Sequence, residues 1–289
     1  MFSGVFTAIV TPFHDGGLDE ESLRNLIDFQ IENGVSGIVP CGTTGESPTL
    51  SHSEYLRTIK ITVDAVRKRV PVVAGAGANA TSKAVALSRE AMQLGVDATL
   101  QVAPYYNKPT QEGLYQHFKA IAEVGMPVMV YNVPGRTGVN IVPETMARLS
   151  KLPEIAALKD ASGDLSQAFQ TMNLCGETVD LLSGDDALTL PILHMGGKGV
   201  VSVVSNVLPG EMSELLRCWD TGDRIQAAAI YNRLLPIMHA LFIEPNPIPV
   251  KTALRKKTLI KSAEIRLPLT AMSDVRQAEL FEVMKEYEA

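Results

Sequence analysis

Pro127-Val128-Met129-Val130-Tyr131 and, one helix-length segment later, Ile155-Ala156-Ala157-Leu158-Lys159 are continuous apolar runs that each end on a reactive side chain. Neither alternates polar with apolar residues, so each reads as a strand buried on both faces, as in a parallel sheet. Six further runs share this character: Val5–Val10, Ser36–Pro40, Val70–Ala74, Ala98–Val102, Val179–Leu182 and Val200–Val204. Between them the apolar spacing turns helical. Leu23, Leu26, Ile27 and Ile31 form one stripe, with Gly34 placed as a C-terminal stop. Tyr55, Ile59, Val63 and Val66 form a second, and Ala84, Leu87, Ala91 and Leu94, closed by Gly95, a third. Eight strands alternating with helices predict a (β/α)8 barrel over residues 1–207. Beyond Leu208 only helical patterns remain, near 209–221, 223–240 and 273–287. Residues 208–289 are therefore expected to form an α-helical extension packed on the barrel, with Leu280, Val283, Met284 and Tyr287 on the apolar face of the last helix.

The 289-residue chain is 46% hydrophobic and 20% charged, ordinary values for a globular domain. Its net charge of −6 and scattered basic residues argue against a nucleic-acid or anionic-membrane surface. The densest cluster, Arg255-Lys256-Lys257, reads as a solvated helix face. Cys41, Cys175 and Cys218 are odd in number and widely spaced, which suggests neither a disulfide framework nor a zinc site. Met1-Phe2-Ser3-Gly4-Val5 lacks the basic-then-apolar pattern of a secretory leader, and no apolar run reaches the roughly 20 residues of a spanning helix. A cytoplasmic protein is expected. His14, His52, His117, His194 and His239 show no metal-ligand spacing, so no metal is expected and a zinc-dependent aldolase is disfavoured. No G-x-G-x-x-G follows a strand, and neither a G-x-S-x-G elbow nor a P-loop occurs.

Barrel enzymes carry their chemistry at the C-terminal ends of the strands. Lys159 closes one such strand. An amine partly buried in an apolar barrel loses its proton more easily and attacks carbonyls. The alternative is a strand-end lysine that snorkels to solvent. Tyr131 closes another strand, where a phenol can shuttle protons, and Arg136 follows in a Pro/Gly-shaped loop, where a guanidinium can grip a carboxylate through two parallel hydrogen bonds. A core tyrosine and a surface arginine would look the same. Cys41-Gly42-Thr43-Thr44-Gly45-Glu46-Ser47 sets two hydroxyls between glycines, a turn suited to an anion. Ala103-Pro104-Tyr105-Tyr106-Asn107-Lys108-Pro109 is a rigid aromatic loop, suited to a lid or a subunit contact. Gly184 and Gly199 would let backbone approach a ligand. Asp185 is expected as a helix N-cap and Asp186 as an acid of the first turn, in preference to metal ligands.

Taken together, Gly42-Thr43-Thr44-Gly45-Glu46, Pro104-Tyr105-Tyr106-Asn107-Lys108-Pro109, Tyr131 through Gly138, and Leu158-Lys159-Asp160 resemble the dihydrodipicolinate synthase family of pyruvate-dependent class I aldolases. The resemblance runs in order from Gly4 to the last helix. It implies an enzyme that condenses pyruvate with L-aspartate 4-semialdehyde to give 4-hydroxy-tetrahydrodipicolinate, on the diaminopimelate route to lysine, with no cofactor beyond a covalent pyruvate imine on Lys159. By the same resemblance Tyr131, Thr43 and Tyr106 form a proton relay, with Tyr106 serving a neighbouring subunit. Thr44 would hold the pyruvate carboxylate, Arg136 the semialdehyde carboxylate, and Gly184 and Val201 would line the pocket. A homotetramer built from dimers follows. The family's lysine-binding allosteric pocket maps onto Ser47, His52, Tyr55, Asn79, Lys83 and Tyr105. A lysine at position 83, where an acid is usual, implies weak or absent feedback inhibition. N-acetylneuraminate lyase and 2-keto-3-deoxy sugar-acid aldolases share the lysine and tyrosine, but their polyhydroxylated substrates do not need Arg136. A silent barrel that merely binds a small acid is the reading from another class.

Overall fold

A computed structural model describes residues 2–287. Eight parallel strands alternate with helices along the chain, giving a (β/α)8 barrel with further C-terminal helices. The residues form two compact units, each discontinuous in sequence.

Of the described residues, the first unit comprises 2–4 and Pro71–Val201. It is best described with the whole chain's strands numbered in order: β1 Gly4–Ala8, a two-residue-per-strand hairpin β2 Phe13–His14 and β3 Gly17–Leu18, β4 Gly37–Val39, β5 Val73–Gly75, β6 Ala98–Val102, β7 Val128–Asn132, β8 Ile155–Asp160, β9 Asp180–Ser183 and β10 Gly199–Ser202. In this unit β5 through β10 pair successively and in parallel. Phe118, Val128, Val130, Ile155 and Leu158 belong to one buried cluster that fills the space between sheet and helices. Each such side chain contributes about 1.5–3 kcal/mol by leaving water. The helices begin where hydroxyl or carboxylate side chains receive their free N–H groups. Thr110 accepts from Gly113 before Gln111–Ala122, and Asp164 accepts from Gln167 before Leu165–Cys175.

Of the described residues, the second unit comprises Val5–Val70 and 202–287. Here β1 pairs in parallel with β4. The helix Glu20–Glu32 is capped by Asp19 and followed by Gly34 at φ +83°, in the predicted C-terminal position. His52–Val66 opens with a full capping box, Ser51 and Glu54 each accepting from the other's backbone. The C-terminal part carries four helices: Pro209–Asp220, Arg224–Ala240, Ile248–Lys256 and Asp274–Met284. The third of these was not among the expected segments. Pro247 and Pro249 argue for a break, yet proline is tolerated in a helix's first turn, where its missing N–H has no acceptor to satisfy. Arg255 and Lys256 lie exposed in that helix's last turn, as a solvated face would.

Most strand boundaries shift by one to three residues from the apolar runs, and two of the shifts have a visible local cause. The run at Val70 begins later, at Val73, after Arg67 and Lys68 take left-handed conformations. The run ending at Val204 stops at Ser202, where a 3-10 turn over Val204–Asn206 begins.

Candidate active site

In the first unit Lys159 is the penultimate residue of β8, in direct register with Tyr131 on β7 and Leu182 on β9. Its side chain does not snorkel: Lys159 is 6% exposed, and its Nζ lies 4.1 Å from the centroid of the Tyr131 ring. Parallel pairing places both side chains on the same face at the same level, so the phenol and the amine share one environment. Gly184 follows β9 and donates its N–H to the Asp160 carbonyl at 2.7 Å. A Cβ on Gly184 would stand 2.8 Å from Ala161 Cβ and 3.1 Å from Lys159 Cε, so a side chain there would crowd the strand end and the lysine. Val201, in β10, is buried. Asp160 turns away to accept from the Ser162 N–H at 2.8 Å, and burial holds its carboxyl above the usual carboxylate range.

Val133 leads from β7 into the short helix Pro134–Thr137, which carries Arg136 exposed to solvent. Gly138 ends that helix at φ +72°. The aromatic loop is tethered here: the Tyr106 N–H donates to the Thr137 carbonyl, and Asn107 Nδ2 to the Asn79 carbonyl. Tyr106 takes φ +76°, uncommon for an aromatic residue, and its side chain is 90% exposed. Tyr105 is also exposed, as is Lys83 in the helix Thr81–Gln93. Asp185 caps the turn after β9 by accepting from the Ala187 N–H at 3.0 Å, and Asp186 is its first-turn acid, as expected.

In the second unit the loop Cys41–Ser47 carries Thr43 and Thr44. Cys41 and Glu46 both adopt left-handed backbone, at φ 55° and 52°. The Thr11 hydroxyl donates to the Gly45 carbonyl at 2.7 Å, and a Cβ on Gly45 would meet Cys41 N at 3.0 Å. Such a conformation persists only where its surroundings over-determine it. Here they do so through charge. Glu46 Oε1 meets Lys251 Nζ at 2.6 Å, with side chains 2% and 0% exposed. Glu46 Oε2 accepts from the Arg266 N–H at 3.1 Å, while the Arg266 guanidinium pairs with Glu54. Lys251 Nζ and the Arg266 guanidinium lie 4.3 and 4.0 Å from the Phe13 ring centroid. Burial lowers the pKa of the Lys251 ammonium, against the opposing pull of Glu46. The Thr44 hydroxyl accepts from Asn246 Nδ2 at 2.9 Å. Ser47, His52 and Tyr55 also belong to this unit, with Tyr55 buried.

The structure thus brings Lys159, Tyr131 and Gly184 together, and around the threonine loop it adds Asn246, Lys251 and Arg266, which the sequence reading did not single out. A signal was present: Lys251 interrupts the apolar run Ile248-Pro249-Val250, and a lysine there needs a buried anion. Among the described residues no group of three or more His, Cys, Asp or Glu side chains could hold a metal ion.

Fold and side chains define a (β/α)8-barrel enzyme with a sequestered lysine at a strand end. The family model of the dihydrodipicolinate synthetase family matches residues 1–287. A 4-hydroxy-tetrahydrodipicolinate synthase of Syntrophus aciditrophicus is 54% identical over 288 residues, covering 99% of both chains. A structure described as the first monomeric dihydrodipicolinate synthase variant is 46% identical with TM-score 0.97, covering 99% of this chain and 96% of its own. The chloride-inhibited dihydrodipicolinate synthase of Acinetobacter baumannii, complexed with pyruvate, is 43% identical with TM-score 0.96, covering 99% of both. The chain belongs to the dihydrodipicolinate synthetase family.

Proposed function

We propose that the protein condenses pyruvate with L-aspartate 4-semialdehyde to 4-hydroxy-tetrahydrodipicolinate, a step toward diaminopimelate and lysine, through an imine on Lys159. The observation that carries this reading is the buried Lys159 amine set 4.1 Å from the ring of Tyr131. Family membership supports the choice of substrates.

The Lys159 amine adds to the pyruvate carbonyl, and the carbinolamine loses water to give an iminium. Tyr131 carries the protons of this step, relayed by Thr43 and by Tyr106 of a second copy. The iminium withdraws electrons, so the pyruvate methyl loses a proton and an enamine forms. Its carbon attacks the aldehyde, making the new carbon–carbon bond. The semialdehyde's amine then adds to the iminium carbon, closes the ring and releases the Lys159 amine. Thr44 holds the pyruvate carboxylate, and Gly184 and Val201 line the space beside the lysine. Arg136, exposed at its helix, binds the second carboxylate. The reaction needs no metal or organic cofactor.

The 90% exposure of Tyr106 supports a homo-oligomer in which the ring reaches a second copy, and we place the enzyme as a tetramer of paired dimers. No helix among the described residues is long and apolar enough to cross a membrane, in keeping with work in the cytoplasm. Incubation with pyruvate and borohydride, followed by peptide mass spectrometry, tests the scheme. A pyruvate-derived mass on Lys159 is expected. No adduct, or one on another lysine, refutes it.

A further inference from the structure

The second unit contains a buried amide whose placement the fold does not require. Asn246 is 6% exposed and sits between Pro245 and Pro247, whose rings restrict the backbone on either side. Its Nδ2 donates to Thr44 Oγ1 at 2.9 Å across 202 residues of sequence. Its Oδ1 is buried and accepts no hydrogen bond among the described residues. A half-satisfied buried amide is less stable than a fully paired one, because its free oxygen has lost water and gained no donor. Such a group calls for an explanation other than stability.

The explanation lies in what the amide does to the hydroxyl. A threonine hydroxyl has one proton to give and two lone pairs to offer. Asn246 fills a lone pair, and Thr44, 3% exposed, has no acceptor for its proton among the described residues. The hydroxyl is thereby committed as a donor. The loop that carries it is held independently, by Thr11 on Gly45 and by Lys251 on Glu46. Asn246 therefore sets the direction of one proton and leaves the path of the loop to others.

We propose that Asn246 is a positioning residue that keeps the Thr44 hydroxyl as a hydrogen-bond donor to the substrate carboxylate. This rests on the reading that Thr44 holds the carboxylate of pyruvate. A donor amide opposite the hydroxyl favours an anionic substrate, whereas an acceptor there would claim the proton for itself.

The test compares Asn246→Asp with Asn246→Ala, each alone and in a Thr44→Val background. The readouts are the steady-state KM and kcat for pyruvate, and the pyruvate concentration that half-saturates borohydride trapping on Lys159. Asn246→Asp replaces the donor by an acceptor and should raise KM and trapping half-saturation at least tenfold, with kcat within about threefold. Asn246→Ala only empties the lone pair and should raise both about threefold. In the Thr44→Val background each effect should shrink below twofold. Should the aspartate variant fail to fold, the alanine variant with and without the Thr44 hydroxyl still decides: a threefold rise in KM that does not shrink in the Thr44→Val background, or no rise at all, overturns the proposal. Equal effects of Asp and Ala, an unchanged KM, or effects that persist without the Thr44 hydroxyl would each overturn the proposal. Absence of any adduct in the parent protein would overturn it by another route, by removing the imine scheme beneath it.

Discussion

Replacing Lys251 by methionine should be among the most damaging single changes in the second unit. The wild-type ammonium lies 2.6 Å from Glu46 Oε1, and both side chains are out of contact with water. Methionine fills much of the volume but leaves the Glu46 carboxylate with only the Arg266 N–H, at 3.1 Å. Removing one partner of a buried pair typically costs about 3–5 kcal/mol, because the remaining charge is desolvated without compensation. For a chain of this size that corresponds to a fall in Tm on the order of 10 °C. Converting both partners, as Lys251→Met with Glu46→Gln, removes the stranded charge and should recover at least half of the loss. Urea unfolding of the parent, the two single variants and the double variant gives the full cycle. A Lys251→Met protein within about 1 kcal/mol of the parent, or a double variant no better than Lys251→Met, would refute the reasoning that these charges need each other.

The remaining predictions concern acid, space and ligand. Burial lowers the pKa of His117 to about 4, so below about pH 6.5 the unfolded chain binds a proton that the folded chain refuses. Stability should therefore be full above that pH and fall by about 3 kcal/mol as the pH drops toward 4, a slope that His117→Gln should flatten in urea unfolding at stepped pH; equal slopes in both proteins would count against it. A methyl at position 184 would press on Lys159 Cε at 3.1 Å, so Gly184→Ala should slow borohydride trapping of pyruvate at least tenfold, and an unchanged trapping rate would show that the lysine has room to spare. The exposed Lys83 should repel the ammonium of free lysine by about 1–4 kcal/mol at a separation of about 4 Å. Calorimetry should accordingly show no micromolar binding of lysine, and a micromolar isotherm would contradict that expectation.

The barrel was legible because strands buried on both faces leave unbroken apolar runs, and all eight runs became strands. Their ends were less so, for reasons that lie outside the runs. After Ser202 the chain turns because the Ser202 hydroxyl accepts from the Ser205 N–H, and Asn206 donates to the Ala8 carbonyl and accepts from the Val10 N–H. Val203 and Val204 say nothing of those partners. Lys159 and Tyr131 could be picked out because each ends an apolar run, where a polar group is conspicuous. Asn246 and Lys251 were passed over because their meaning resides in Thr44 and Glu46, 202 and 205 residues away. The helix that follows Asn246 and contains Lys251 was hidden by prolines that elsewhere would have broken it.

The long span between those partners bears on how the protein is made. Pro71–Val201, with Lys159 and Tyr131, is one uninterrupted stretch, and a ribosome delivers it whole before the C-terminal helices exist. The threonine loop leaves the ribosome earlier still, yet its fasteners (Asn246, Lys251 and Arg266) are among the last parts to be synthesised. A nascent chain halted at about residue 240 would already hold the lysine and the tyrosine in sequence, while a glutamate destined for complete burial stayed in water. The C-terminal segment is thus a clasp on the threonine loop that arrives last, more than 200 residues after the loop it fastens.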